Sequence, residues 1–323
     1  MAWRLRLAPE KTNFDFFKWQ KLTFGGSVLV TVVAIALWVV MGLNFGIDFK
    51  GGTSIRTESS TPVDVGAYRT SLQGLEIGDI VITEVFDPSF SADQHVALVR
   101  ISALEGSEAV MPDIIQSVED ALQVHDPAIV FAAVESVGPK VSGELVRSAI
   151  LAMVVASLGI MFYIWLRFEW QYAVASVIAI VHDIFITIGV FALFQIKFDL
   201  PIIAALLTIL GYSINDTVVV FDRLRENLLK YKVMPLRDVM NLSVNETLSR
   251  TFMTSITTMV ALTAMLIFGG DVIRGFAFAI LFGVILGTYS SVFVAKNIVL
   301  FIGLDRGDKP KKTDGNEFAN IDA

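Results

Sequence analysis

The chain has no cysteine among its 323 residues, so neither a disulfide nor a thiolate metal site is available to it. That absence says little about compartment. Its three histidines, His95, His125 and His182, are scattered without ligand spacing, and no metal is expected. Charged residues make up only 18% of the chain, with a formal net charge of -7 and no Lys/Arg block interleaved with aromatics, which argues against nucleic acid as a partner. No GxxxxGK[ST] phosphate loop and no Ser/His/Asp arrangement stands out, so neither a cofactor nor covalent catalysis is expected.

What the chain has is apolar sequence: 54% of residues are hydrophobic and the mean hydropathy is +0.65. It is too apolar for one soluble core and too polar for an uninterrupted membrane bundle. A spanning helix needs roughly 20 apolar residues for roughly 30 Å of hydrocarbon, and six segments come near that length: Leu22–Leu43, Ser148–Leu166, Tyr172–Phe194, Leu200–Phe221, Thr251–Phe268 and Phe276–Leu300. The first is longer than a signal-peptide core and has no clear cleavage pattern after it, so it reads as a retained span. Basic residues cluster before the first span, in the loop before the fifth and after the sixth. The opposite short loops carry only Lys197 and Arg274. By the positive-inside rule both termini, residues 1–21 and 303–323, are expected in the cytoplasm, and residues 44–147 outside it.

The outer region breaks at Gly, Pro, Asp and Ser into strand-like runs at Thr53–Glu58, Ile80–Phe86, Val96–Ser102 and Ile129–Glu135. Helix-like runs start near Pro62 and Glu108. The order βαββαβ is that of a ferredoxin-like domain inserted after the first span. Sixteen Asp/Glu against six Lys/Arg make it acidic, which reads as a solubilising surface. Residues 148–302 then hold the remaining spans, and the stretch 222–250 reads as an amphipathic helix on the cytoplasmic face followed by a second short helix from Pro235. The tail past Asp305 is polar, and disorder is expected there.

Ionisable side chains inside spans are costly and therefore informative. Asp183, preceded by His182, sits near the centre of the third span, and Asp216, preceded by Asn215, lies toward the cytoplasmic end of the fourth. The fifth span opens at Arg250 and is rich in hydroxyls. If the fourth and fifth spans pack as antiparallel neighbours, Asp216 and Arg250 approach the same depth, either as a static buried pair or as a switch whose carboxyl takes a proton when the pair separates. His182 reads as a hydrogen-bonded packing residue. Gly275, Ala279, Gly283, Gly287, Ser291 and Ala295 form a small-residue stripe for another helix, and Lys296 is expected to snorkel to headgroups. The run Gly46-Ile47-Asp48-Phe49-Lys50-Gly51-Gly52-Thr53 reads as a tight passage from helix into the first strand.

Taken together, GIDFKGGT at 46–53, SVGPKVSGEL at 136–145, GYSINDTVVVFDRLREN at 211–227, TLSRTFMTSITT at 247–258 and GGDVIRGFAFAILFGVILG at 269–287 resemble the SecF family. The resemblance implies a six-span half of a resistance-nodulation-division-like proton motor in the inner membrane. It implies assembly with SecD beside the SecYEG channel, YajC as an associate, and exported polypeptide as the object of the work. The family's functional aspartate falls on Asp216 and its arginine on Arg250, with Asp183 carried over without an assigned step. Two other readings stay open: an exporter of small molecules or lipids working as a homodimer, and a scaffold anchoring the outer domain.

Overall fold

The computed structural model describes residues 12–75, 77, 79–85, 90–91, 93–102 and 112–304. Among them six helical stretches are long and apolar enough to cross a membrane. Helix α1 is Gln20–Met41; a short strand β1 (Asn44–Phe45) and a single helical turn α2 (Ile47–Lys50) lead into the inserted domain. The domain runs β2 (Gly52–Ser59), α3 (Val65–Gln73), β3 (Ile80–Val85), β4 (His95–Ser102), α4 (Pro112–Gln123) and β5 (Val130–Val137). Its four strands lie in the order β3-β4-β2-β5, every neighbour antiparallel. That is the ferredoxin-like arrangement expected of βαββαβ. Alternation places Ile55, Ala97, Val99 and Ile101 on one face, where Leu72 of α3 and Val118 and Leu122 of α4 bury them. Each such Val, Leu or Ile side chain adds about 1.5–3 kcal/mol. Asp126 ties the domain together, accepting from the Thr61 hydroxyl at 2.9 Å, the Tyr68 hydroxyl at 3.3 Å and the Ala128 N–H at 3.1 Å.

The bundle continues with α5 (Pro139–Arg167), α6 (Trp170–Phe194), a short strand β6 (Lys197–Phe198), α7 (Leu200–Lys230), α8 (Leu236–Phe268) and α9 (Asp271–Ser290). A π-helical segment, Ser291–Ala295, joins α9 to α10 (Lys296–Ile302). Two sequence expectations change here. The stretch 222–250 is not a separate helix followed by a second short one: α7 runs unbroken from Leu200 to Lys230 and α8 from Leu236 to Phe268, so both are continuous with the apolar spans. Only residues 231–235, ending in Pro235, interrupt the helix, because nothing before them breaks the backbone hydrogen-bond ladder. Lys296 does not snorkel. It is buried, donates to the Phe16 carbonyl at 3.2 Å and lies over the rings of Phe17 (4.2 Å), Phe16 (5.1 Å) and Phe293 (5.4 Å). Desolvated cation–π contacts replace water around the ammonium.

The same N-terminal strap, residues 12–17, is clasped by α8 at the end of the bundle away from the domain. Asn245 accepts from the Phe14 N–H at 2.8 Å and donates to the Phe14 carbonyl at 2.9 Å, while Asn241 accepts from the Phe16 N–H at 2.9 Å. The small-residue stripe meets α7: Gly287 packs on Ser213, Gly283 on Ile209 and Gly275 on Ile202. The basic residues before Thr12, the end of the second strand-like run at Phe86, the start of the domain's second helix near Glu108 and the tail past Leu304 lie outside the described residues.

Candidate functional site

The run 46–53 forms the joint between domain and bundle. The Gly46 N–H donates to the Phe198 carbonyl at 2.8 Å, where β1 pairs in parallel with β6. A side chain at Gly46 would press on Asp199 and Lys197 at 3.2 Å. Asp48 accepts from the Leu200 N–H at 3.0 Å, filling one of the unpaired amides at the start of α7. Gly51 and Gly52 then turn the chain into β2 with φ of 73° and 127°, left-handed conformations that favour glycine.

Asp183 lies wholly buried in the bundle centre. His182 Nδ1 stands 2.9 Å from its Oδ1, and the hydroxyls of Ser213 and Ser290 each donate to its Oδ2 at 2.7 Å. His182 is a buried, hydrogen-bonded neighbour of this carboxyl, and its Nε2 has no partner.

Asp216, 2% exposed on α7, differs. Ser255 of α8, Arg250 and Asn215 are the polar groups acting on its charge, yet its Oδ2 is buried without a hydrogen bond. Helices α7 and α8 are antiparallel neighbours, but the register is offset from the expected common depth. Asp216 stands level with Ser255, and Arg250 lies five residues further from the domain, about 7.5 Å of helix rise. Among the described residues no ion pair joins them, and Arg250 is exposed.

Around Arg250 opens a cavity of about 560 Å³, whose lining includes Asn215, Val219, Asp222, Arg223, Glu246 and Arg250 but not Asp216. Its other arginines are engaged. Arg223 reaches Glu226 at 2.6 Å and Glu246 at 2.7 Å, and Arg167 reaches Asp222 at 3.5 Å. Arg250, by contrast, has no ion pair among the described residues, and its charge acts on Asp216. Sequence reasoning missed Ser255 as a neighbour of Asp216. It also missed the Arg223–Glu246–Asn227 cluster that braces α7 against α8, in which the Asn227 amide donates to Glu246 at 2.6 Å. The density of hydroxyls at the start of the fifth span was plain in the sequence, but not which of them meets the acid.

Residues 117–305 match the family described as protein export membrane protein SecD/SecF, C-terminal, and residues 36–63 match the SecD/SecF GG motif. The chain belongs to the SecD/SecF family. It is 67% identical over 325 residues to the protein translocase subunit SecF of Cereibacter sphaeroides, covering all of both chains. To the SecF of Rhodobacter capsulatus it is 62% identical, covering 99% of this chain and 98% of that one. A crystal structure of SecDF from Thermus, described as a translocon-associated membrane protein, superposes with a TM-score of 0.81 at 35% identity. The match covers 92% of this chain and 39% of that one, so this chain spans well under half of that SecDF polypeptide. A SecDF structure described as super-membrane-facing gives a TM-score of 0.67 at 36% identity, covering 93% and 39%. Within the family this chain is a translocase subunit built as six spans with one inserted α+β domain.

Proposed function

We infer that the chain is the SecF half of a SecDF pair in the bacterial inner membrane, where it uses the proton motive force to assist movement or release of exported polypeptide at the SecYEG channel. Its termini are cytoplasmic, its α+β domain faces the periplasm, and YajC is an associate. The chain acts without covalent catalysis. One observation carries the reading: on adjacent helices lie a buried carboxyl with an oxygen that has no hydrogen bond and, about 7.5 Å of helix rise away beside a cavity, an arginine with no ion pair among the described residues.

A carboxyl so placed has two ways to reduce its cost in a water-poor site. It takes a proton, or it gains the guanidinium by a relative shift of α7 and α8. Protonation and helix position are thereby linked. A membrane potential biases the exchange by about 2.3 kcal/mol per charge per 100 mV.

A second reading is kept by a second cavity of about 850 Å³ between the domain and the bundle, lined in part by Leu98, Ile202, Leu266 and Phe276. Such a space suits an apolar ligand of a homodimeric exporter. Arg56, Glu135, Lys197, Asp199 and Arg274 also line it, which makes it a poor apolar pocket.

Asp216→Asn and Arg250→Met are each expected to abolish proton conductance and export stimulation in vesicles carrying the chain with its SecD, while the pair still assembles. Wild-type conductance in either variant would remove the centre of the motor. Full activity of the chain without SecD would favour the exporter.

A further inference from the structure

The exchange described for Asp216 and Arg250 leaves Asp183 without a task, although it is the most thoroughly bonded acid in the bundle. Both of its oxygens are occupied, and Oδ2 takes two hydroxyls from two different helices, Ser213 on α7 and Ser290 at the end of α9. Both bonds measure 2.7 Å, the usual length for a hydroxyl donating to an oxygen.

The placement of the two serines is informative. Ser213 precedes Asp216 by three residues, less than one turn of α7. Gly287 approaches it so closely that a Cβ there would stand 3.1 Å from the Ser213 Cβ. Ser290 is the last residue of α9 before the π-helical segment, a local widening that tends to occur at functional sites. Two residues earlier Thr288 shares a 2.6 Å hydrogen bond with Ser255 of α8, the hydroxyl beside Asp216. Hydroxyl contacts thus run from Asp183 on α6 to Ser213 on α7 and Ser290 on α9, and from Thr288 on α9 to Ser255 beside Asp216.

We propose that Asp183 is a positioning residue for Asp216: by accepting one hydroxyl from α7 and one from α9 on the same oxygen, it fixes the rotation and depth at which α7 presents Asp216 to Ser255 of α8. Asp183 carries no transported proton itself. The consequence for proton conductance rests on the motor reading, while the geometry does not.

The test uses the chain with its SecD in proteoliposomes. In Asp183→Asn a carbonyl oxygen can still accept both hydroxyls, so conductance stays within about threefold of wild type with its pH profile in place. Asp183→Leu and the double variant Ser213→Ala/Ser290→Ala remove the shared contact, and conductance falls about tenfold or more. In both, the pH midpoint moves by about one unit as the surroundings of Asp216 change. A plain loss of fold stability lowers the amplitude without moving the midpoint.

An Asp183→Asn variant as inactive as Asp216→Asn would make Asp183 a proton carrier and overturn the proposal. An unmoved midpoint in both Asp183→Leu and the double serine variant would overturn it as well. Infrared titration of the Asp216 carboxyl, taken as the difference from Asp216→Asn, follows the same midpoint without any transport. A wild-type pair that conducts no protons would end the motor reading, and the infrared midpoint would still decide for or against positioning.

Discussion

A graded series of glycine-to-alanine changes probes how the bundle is packed, because each glycine leaves a different space for one added methyl group. At Gly275 a Cβ would meet only the Ile202 Cδ1 at 3.6 Å, an ordinary contact. At Gly287 it would stand 3.1 Å and 3.2 Å from the Cβ and Cα of Ser213, tight by a few tenths of an ångström. At Gly283 it would overlap the Cγ1 and Cδ1 of the buried Ile209, and at Gly189 it would overlap Ala34 of α1, with the Ala34 Cα at 2.6 Å. Alanine in a helix interior gains about 1 kcal/mol over glycine, whereas forcing a methyl into a filled core costs about 1–3 kcal/mol. Gly275→Ala is therefore neutral or slightly stabilising and Gly287→Ala close to neutral. Gly283→Ala loses about 1 kcal/mol, since only the branched side chain of Ile209 must yield. Gly189→Ala loses most, about 2 kcal/mol, because the obstacle is backbone and α1 has to back away from α6. Unfolding of the detergent-solubilised chain, followed by circular dichroism across a denaturant series, orders the four variants. Stability falling in any order that puts Gly275→Ala below Gly189→Ala would refute the packing argument.

Two further changes test features away from the site. Asn241→Ala/Asn245→Ala frees the strap, and a Thr12→Cys thiol, unique in a chain without cysteine, is expected to react with a polar maleimide about tenfold faster, because several partly buried hydrogen bonds are lost. Equal labelling rates would show that the strap is held by its aromatic contacts alone. In the domain, burial pushes the Asp126 carboxyl upward, but hydrogen bonds from Ser59, Thr61, the Ala128 N–H and Tyr68 outweigh it and hold the group below the ordinary aspartate value. A depressed folded value means stability that is present above the unfolded value of about 3.9 and is lost as pH falls through the folded one. Asp126→Asn is thus expected to flatten the rise of pepsin cleavage in the domain on the acid side of pH 4, and an unchanged acid profile would contradict this assignment.

The six spans and the ferredoxin-like domain were legible because each rests on a one-dimensional signal: length of an apolar run for the spans, and alternation with turn residues for the strands. Asp216 and Arg250 stood out for a similar reason, since a charge within an apolar run is visible without any fold. What was not legible is relative placement. Helical spacing gives the face of a helix but not its register against a neighbour, so the offset that sets Asp216 against Ser255 rather than Arg250 had no signature. The continuation of α7 to Lys230 was hidden because an amphipathic stretch has the same periodicity whether it lies on a surface or extends a span. Lys296 was misread for a related reason: the rings of Phe16 and Phe17 that enclose it come from the opposite end of the chain. The small stripe was plain in the sequence, and its partner, the Ser213 face of α7, was not.

On the proposed motor reading, one helix links the joint to the Asp216 site. Helix α7 carries Asp216 and begins at Leu200, whose N–H is held by Asp48, three residues before Gly51. From Leu200 to Asp216 is an unbroken helix of about 24 Å, and packed helices shift as units rather than bending locally. An axial shift of α7 that brings Asp216 toward Arg250 would act on Asp48 at the other end. Asp48 sits in a single helical turn that is itself pinned to the bundle by the Gly46–Phe198 bond, so the next place for the chain to yield is the Gly51–Gly52 pair with its left-handed dihedrals. Those residues open β2, an inner strand of the domain sheet, paired on both sides. A strand so held moves with its sheet. On that reading the Asp216 carboxyl stands one unbroken helix and one glycine pair away from the inserted domain.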